Sequence, residues 1–205
     1  MNAVPHQTFF NLPLEKKQRL IAAIEAEFAN TSLASASISN IIKAAEIPRG
    51  SFYQYFDDKE DAFFFVLNEH MKKISNTFIH FLKMNEGDIF LTLQEFYRGI
   101  ISDEENFPFY KNAFLDMTYK IENAFAKMIS NDHLNENYRE IMPLIDKSKL
   151  NFNNEKELFH IMQIIGAITS RNVIQTFAQK LSVDQSLDNY ITELKLLKQG
   201  FIKHS

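Results

Sequence analysis

The 205-residue sequence predicts an all-α protein. Only five glycines and five prolines interrupt the chain, and no stretch alternates apolar and polar residues for long enough to form a convincing strand. Apolar residues instead recur every three or four positions, and several of these stripes begin at residues that cap helices well. The composition, 45% hydrophobic and 23% charged, is ordinary for a soluble globular protein.

The first helix is predicted from Leu14 to Ala29, and Asn30 is the nearest candidate for a left-handed residue that ends it. Its apolar residues lie at helical spacing, so one face should be buried. The residues on this inner face are Leu20, Ile21, Ile24 and Phe28.

The segment from Ser37 to Lys59 predicts two short helices joined by a tight turn, followed by the start of a third. Ser37 is a good N-cap, because its hydroxyl can accept hydrogen bonds from the first helical amides. Pro48 suits the first turn of the next helix, in which Phe52 and Phe56 face inward. This pattern is a helix-turn-helix. The buried stripe of its first helix is Ile38, Ile41, Ile42 and Ala45.

The outward face of this segment carries cations, hydroxyls, an amide and phenols, which are groups that grip phosphates and read base edges. Gly50 lies inside the second short helix, where glycine loses roughly 1 kcal/mol relative to alanine. A glycine there lets the backbone approach a phosphate closely. The alternative is an ordinary three-helix fragment with aromatic residues in its core. The predicted DNA contacts are Ser37, Arg49, Gly50, Ser51, Tyr53, Gln54, Tyr55 and Lys59.

A long helix should follow, because Asp57 and Glu60 have the spacing of a capping box that opens a helix from Asp58 to about Lys83. It holds too many phenylalanines for one stripe, which predicts packing on more than one side. Ser182 and Gln185 form a similar box before the last helix. The later helices are predicted at Ile89 to Ile101, Pro108 to Met117 continuing into Thr118 to Ile129, Tyr138 to Asp146, Lys156 to Leu181, and Asp184 to Lys203.

Residues Leu20 to Val66 resemble the DNA-binding domain of the TetR (tetracycline-repressor) family. The residues that carry this resemblance are Ile21, Ala22, Ala23, Phe28, Ser37, Ile38, Ile41, Ile47, Pro48, Arg49, Gly50, Ser51, Phe52, Tyr53, Gln54, Tyr55, Phe56, Lys59 and Glu60. The family's usual turn glycine is replaced by Glu46, which should therefore adopt a positive φ that is uncommon for such a residue.

The resemblance implies a ligand-responsive transcriptional repressor that binds a palindromic operator as a homodimer. It implies a DNA-binding domain at residues 1–57 and an effector-binding and dimerisation domain at residues 58–205. The two C-terminal helices would form a four-helix dimer interface. The dimerisation residues are expected to be Ile164, Ile168, Leu194 and Leu197.

The effector pocket of such proteins lies among the middle helices, whose residues here are mostly phenylalanine, methionine and tyrosine. A pocket lined in this way implies a hydrophobic small molecule. The effector-binding residues are expected to be His70, Met71, Ile74, Phe114, Met117, Tyr119, His160 and Ile164.

The segments IPRGSFYQYF and FLDMTYKIE resemble haem-responsive repressors of haem-efflux operons in Gram-positive bacteria. Haem is therefore one effector hypothesis, and His70, His160 or Tyr119 could bind its iron. The other hypothesis is an unidentified hydrophobic ligand, such as a substrate of an efflux pump. No cofactor is expected to be required. Of the other histidines, His6 and His204 lie near the ends of the chain and are expected to be mobile.

Charge and composition limit the possible partners. The first 60 residues carry six Lys or Arg against seven Asp or Glu, so non-specific affinity for DNA should be low. A helical interaction module without DNA binding is therefore one alternative. The chain has no cysteine, and its longest apolar run, Ala62 to Leu67, is too short to span a membrane. We expect a cytoplasmic protein without membrane contact.

An enzyme is not expected, because no nucleophile motif or phosphate-binding glycine loop is present. One fragment favours the alternative of a metal-dependent helical-bundle enzyme. Glu157 and His160 form a Glu-x-x-His pair, which occurs twice in di-iron bundles. A second copy is missing here, so no metal site is predicted.

Overall fold

The structure, a computed structural model, describes residues 5–104, 106–115 and 136–201. Helices account for the regular structure of these residues, which confirms the all-α prediction. The helices are α1 (Gln7–Phe10), α2 (Leu14–Asn30), α3 (Ile38–Ala44), α4 (Arg49–Phe52), α5 (Lys59–Met84), α6 (Ile89–Ile101), α7 (Phe107–Leu115), α8 (Glu136–Ile141), α9 (Glu155–Gln179) and α10 (Val183–Phe201), with a 3₁₀ turn at Lys147–Lys149.

The described chain divides into two compact units, and the division does not fall at residue 57. The first unit runs to Lys72 and also includes the residues of α7 from Pro108 onward. The second unit contains Lys73 to Phe107 and the described residues from 136 onward. Helix α5 therefore begins in one unit and ends in the other.

The core of the first unit is built on the inner face of α2. Leu20, Ile24 and Phe28 are each at most 1% exposed, whereas Ile21, also expected on this face, is half-buried. The ring of Phe28 packs edge-on against Phe63 of α5, with 5.0 Å between the centroids. Burying such side chains stabilises the fold by about 1.5–3 kcal/mol each.

The end of α2 is held by a residue distant in sequence. Asn30 is the last helical residue and is not left-handed, so that expectation was wrong. The side-chain amide of Asn112 in α7 donates instead to the carbonyls of Phe28 (3.0 Å) and Ala29 (2.9 Å). These carbonyls belong to the last turn of α2, where carbonyls lack partners within the helix. Helix α7 thus completes the first unit.

Helix α5 is capped one residue later than predicted, by Asp58 instead of Asp57. The carboxylate of Asp58 accepts from the amide of Asp61 (2.8 Å), and the Asp61 carboxylate accepts from the amide of Asp57 (3.3 Å). Partial burial raises the pKa of the Asp61 carboxyl. The Asp57 side chain bonds His6 instead, at 2.9 Å. The phenylalanines of α5 are buried or half-buried along its length, as its composition predicted.

The second unit packs α6, α9 and α10 around stacked tyrosines. The rings of Tyr97 and Tyr190 lie 4.0 Å apart, and neither side chain is exposed. The Tyr97 hydroxyl lies 3.0 Å from that of Thr176, and the Tyr190 hydroxyl lies 2.7 Å from that of Thr169. Burial raises the pKa of both tyrosines, so both phenols stay protonated and can act as donors.

The predicted capping box before the last helix is confirmed. The amide of Gln185 donates to the Ser182 hydroxyl (3.2 Å), and the amide of Ser182 donates to the Gln185 side-chain oxygen (3.1 Å). Reciprocal bonds of this kind satisfy two amides that would lack partners at a helix start. They fix the point at which α10 begins.

Candidate DNA-binding interface

The turn between α3 and α4 depends on Glu46. Its φ is 54°, which confirms the predicted positive value at the position where the related domains have glycine. The Glu46 carboxylate accepts from the Arg19 guanidinium at 2.8 Å. Because both side chains are partly exposed, this pair contributes little net stability, but it orients the turn against α2.

The residues of α4 and those directly after it, up to Phe56, are either clearly buried or accessible to solvent. Phe52 and Phe56 are completely buried, while Arg49 and Gln54 are exposed and Tyr53 is 44% exposed. Ser51 and Tyr55 are half-buried. Polar groups with the chemistry of DNA contacts are therefore accessible beside an aromatic core.

Gly50 has no packing partner that would require a glycine. It is exposed, and a Cβ atom built at this position would meet no atom within 4 Å. Its φ is not positive, so backbone conformation does not require glycine either. Nothing inside the described chain explains this residue, whereas close approach of an external group would.

Several of the predicted DNA contacts are engaged within the fold, among them Arg49, whose guanidinium donates to the Ser39 hydroxyl at 3.5 Å. Ser37 occupies the N-cap position of α3, but its hydroxyl makes no capping bond, and its amide donates to the Glu27 carboxylate at 2.7 Å. The Lys59 ammonium donates to the carbonyls of Ala34 (2.6 Å) and Ala36 (3.0 Å). Since an ammonium has three N–H groups, Lys59 retains one for a phosphate.

The sequence was also compared with family models and solved structures, and the matches fit a helix-turn-helix domain. Residues 20–64 match the model described as bacterial regulatory proteins of the tetR family, and residues 88–201 match the tetracyclin repressor-like C-terminal domain. The second match alone spans more than half of the chain. The protein belongs to the TetR family.

Solved structures share the fold at low identity, two of them of TetR-family regulators. A regulator from Streptomyces coelicolor is 14% identical, with a TM-score of 0.62, over 91% of this chain and 81% of its own. NemR of E. coli, in its reduced form, is 18% identical, with a TM-score of 0.60, over 89% and 96%. A regulator from Chloroflexus aurantiacus is 21% identical, with a TM-score of 0.50, over 98% and 100%. These structures support the fold, and the family-model matches make the protein a TetR-family transcriptional regulator with a helix-turn-helix DNA-binding domain.

The histidine expected to bind an effector is part of the core of this DNA-binding unit. His70 is 1% exposed, and its ring stacks on Phe109 with 4.5 Å between the centroids. Its Nδ1 lies 3.3 Å from the Tyr110 hydroxyl. Its Nε2 lies 3.2 Å from a carboxylate oxygen of Glu25, although the N–H direction there is not that of a good hydrogen bond. An external ligand could reach His70 only by displacing these groups.

The other residues expected to bind an effector are distributed over both units. Met71 is buried and Phe114 is half-buried in the first unit. In the second unit, Ile74 is half-buried, whereas His160 is exposed and Ile164 is 43% exposed. The remaining two, Met117 and Tyr119, lie outside the described residues.

A small cleft in the second unit lies at none of the predicted effector residues. Its volume is about 230 Å³, less than the roughly 300–1,000 Å³ of pockets for drug-sized ligands. Gly87 shapes one wall with a φ of 79°, and a Cβ atom there would lie 2.5 Å from the carbonyl oxygen of Leu144. The lining residues are Gly87, Asp88, Ile89, Phe90, Asp146, Lys149, Leu150 and Lys198.

The four residues that are expected to mediate dimerisation differ in how accessible they are to solvent. Ile164 is 43% exposed, and Ile168 and Leu197 are half-buried, so all three present apolar surface outside the protomer. Leu194 is 1% exposed. Its side chain packs inside the protomer and offers no surface to a partner.

In the Glu-x-x-His pair, Glu157 takes part in capping the start of α9. The Glu157 carboxylate accepts from the amide of Asn153 (2.7 Å), and the Glu157 amide donates to the Asn154 side chain (3.0 Å). Within the described residues, no three His, Cys, Asp or Glu side chains are grouped closely enough to hold a metal ion.

No described helix is long and apolar enough to cross a membrane.

Proposed function

We propose that this TetR-family regulator is a repressor that binds a near-palindromic operator as a homodimer and is released by a hydrophobic small molecule. The observation that carries the proposal is the surface formed by Arg49, Gly50, Tyr53 and Gln54. These residues are exposed although they lie in and directly after a helix whose other side is fully buried.

The chemistry of this surface suits both parts of DNA recognition. The guanidinium of Arg49 can bind a phosphate or a guanine, and the amide of Gln54 can make a bidentate contact with adenine. The bare backbone at Gly50 allows an approach that any side chain would prevent. In a homodimer, two such surfaces about 34–36 Å apart, or a multiple of that, would match a palindromic site.

We expect Gln54→Ala to change sequence preference and weaken operator binding by about 1–3 kcal/mol, the usual discrimination of a bidentate base contact. The operator would first be selected from random duplexes with the purified wild-type protein. Fluorescence anisotropy on the selected duplex and its single-base variants then measures the effect.

Gly50→Ala tests whether the DNA must approach the backbone at Gly50 closely. Alanine favours the helix by up to about 1 kcal/mol, so this variant should unfold at the same or a higher temperature. We expect it to bind the operator more weakly all the same. Equal affinity of both variants and the wild type on every duplex would contradict DNA recognition through α4.

The proposal of a hydrophobic effector rests on the aromatic and methionine content of the middle helices. Among the effector residues that the structure describes, His160 is an exposed imidazole, and Ile164 lies one turn further along α9. An imidazole next to apolar surface could bind haem iron axially. Haem and an efflux-pump substrate therefore both stay candidates.

A titration of the operator complex with haemin and a panel of lipophilic drugs tests this part of the proposal. The effector should weaken operator binding about 5- to 150-fold, and operator DNA should weaken effector binding by the same factor. If haem is the effector, His160→Ala should change its visible absorption band, whereas His80→Ala, at an exposed position of α5, should not. Operator affinity that no compound alters would contradict ligand control.

A further inference from the structure

The N-terminal segment, residues 5–10, lies against the end of α4, the second helix of the helix-turn-helix. Residues 5–10 precede the part of the chain that matches the TetR-family model, which begins at residue 20. His6 was expected to be mobile, yet its amide donates to the carbonyl of Tyr55 at 2.9 Å. The hydroxyl of Thr8 donates to the carbonyl of Gln54.

These two bonds give partners to carbonyls that have none within α4 or the turn after it. Helix α4 ends at Phe52, and the turn after it closes with the amides of Tyr55 and Phe56 bonded to the Phe52 carbonyl. The next carbonyls, of Gln54 and Tyr55, follow the end of the helix, where carbonyls lack partners within it. The N-terminal segment supplies these partners from about 46 positions away in the sequence.

The segment is anchored strongly enough to act as a fixed support. Phe9 is 1% exposed, and its ring lies 5.3 Å from that of Phe56 and 5.0 Å from that of Phe65. The Lys17 ammonium donates to the carbonyl of Phe10 at 3.1 Å and lies 5.6 Å from the centre of the Phe9 ring. The His6 imidazole also pairs with Asp57. Aromatic packing against Phe65, the Lys17 contacts and the His6–Asp57 hydrogen bond thus attach this segment to α2, to α5 and to the residue pair before α5.

We propose that residues 5–10 are a positioning strap that holds the backbone at Gln54 and Tyr55 in the orientation needed to read bases. A bond to the Gln54 carbonyl fixes the peptide plane that follows this residue, and therefore restricts the direction in which its side chain leaves the backbone. A base contact tolerates errors of only about 0.5 Å, so a loose backbone lowers selectivity. Thr8 and His6 are positioning residues. The inference rests on the proposed operator contact of Gln54.

The substitution Thr8→Val removes the donor while keeping the shape of the side chain, and Thr8→Ser keeps the donor. We expect Thr8→Val to bind the selected operator about three- to tenfold more weakly, the equivalent of one net hydrogen bond. Its affinity for unrelated DNA should not change, because phosphate contacts carry that affinity. Thr8→Ser should restore operator affinity to within about twofold of wild type.

Hydrogen exchange of the same variants gives a readout that does not need DNA. The amides of residues 54–57 should exchange faster in Thr8→Val than in Thr8→Ser, while those of α10 exchange at the wild-type rate in both. Wild-type exchange and wild-type base preference in Thr8→Val would overturn the strap, with operator binding itself intact. Failure of the wild-type protein to select any duplex would instead refute the proposed function, and the strap with it.

Discussion

Replacing Ile164 with glutamate should convert the proposed homodimer into a folded monomer and weaken operator binding at least about 100-fold. Ile164 is 43% exposed in the protomer, so a charge there barely affects the fold of one chain. In a two-fold interface formed by α9 and α10, the same charge would be buried against its own symmetry mate. Light scattering measures the mass, and fluorescence anisotropy measures operator affinity.

Two further substitutions isolate the cause of this loss. Leu91→Glu introduces the same charge at a leucine that is 44% exposed on α6, and it should remain dimeric with wild-type operator affinity. Leu194→Glu should unfold the second unit instead, because Leu194 is 1% exposed within the protomer. A wild-type protein that is monomeric at micromolar concentration, or a dimeric Ile164→Glu protein, would contradict the proposed interface.

Replacing His70 with alanine should lower the free energy of unfolding by about 3 kcal/mol, the usual effect of emptying a large buried site. The ring that stacks on Phe109 would be lost, and the Tyr110 hydroxyl and Glu25 carboxylate would each lose a neighbour. Urea denaturation followed by circular dichroism measures the change. Operator affinity should fall in parallel, because the affected helices support α4.

His80→Ala is the matched control, since His80 lies on the same helix and is exposed. Its stability should stay within about 0.5 kcal/mol of the wild type. Glu25→Gln, alone and combined with His70→Ala, measures how strongly the two side chains are coupled. A His70→Ala protein with wild-type stability and an altered haemin spectrum would reverse the interpretation and restore His70 as an iron ligand.

Sequence patterns predicted helix ends and turns correctly where the contacts that stabilise them lie between residues close in sequence. The bounds of α6 were predicted to the residue, because the helix has an unbroken apolar stripe and its N-cap, Asp88, accepts from the amides of Phe90 and Leu91. The capping box at Ser182 and the strained turn at Glu46 followed from spacing and from a missing glycine. In each case the deciding contact lies within a few residues.

Contacts between distant parts of the chain could not be predicted in this way. The bond from Asn112 to Phe28 joins residues 84 positions apart, and that from Thr8 to Gln54 joins residues 46 positions apart. Periodicity identifies a buried face but not its partner. Lys59 was read as a free cation for the same reason, because its carbonyl partners, at Ala34 and Ala36, lie more than 20 residues away.

The position of α7 affects how the DNA-binding unit can fold during synthesis. The unit is discontinuous, since Lys73 to Phe107 intervene before the residues of α7 that complete it. The ribosome must release these residues before Asn112 can reach the end of α2. A gene fusion that takes only residues 1–72 would leave the last turn of α2 uncapped, so a transferable DNA-binding module must carry α7 with it.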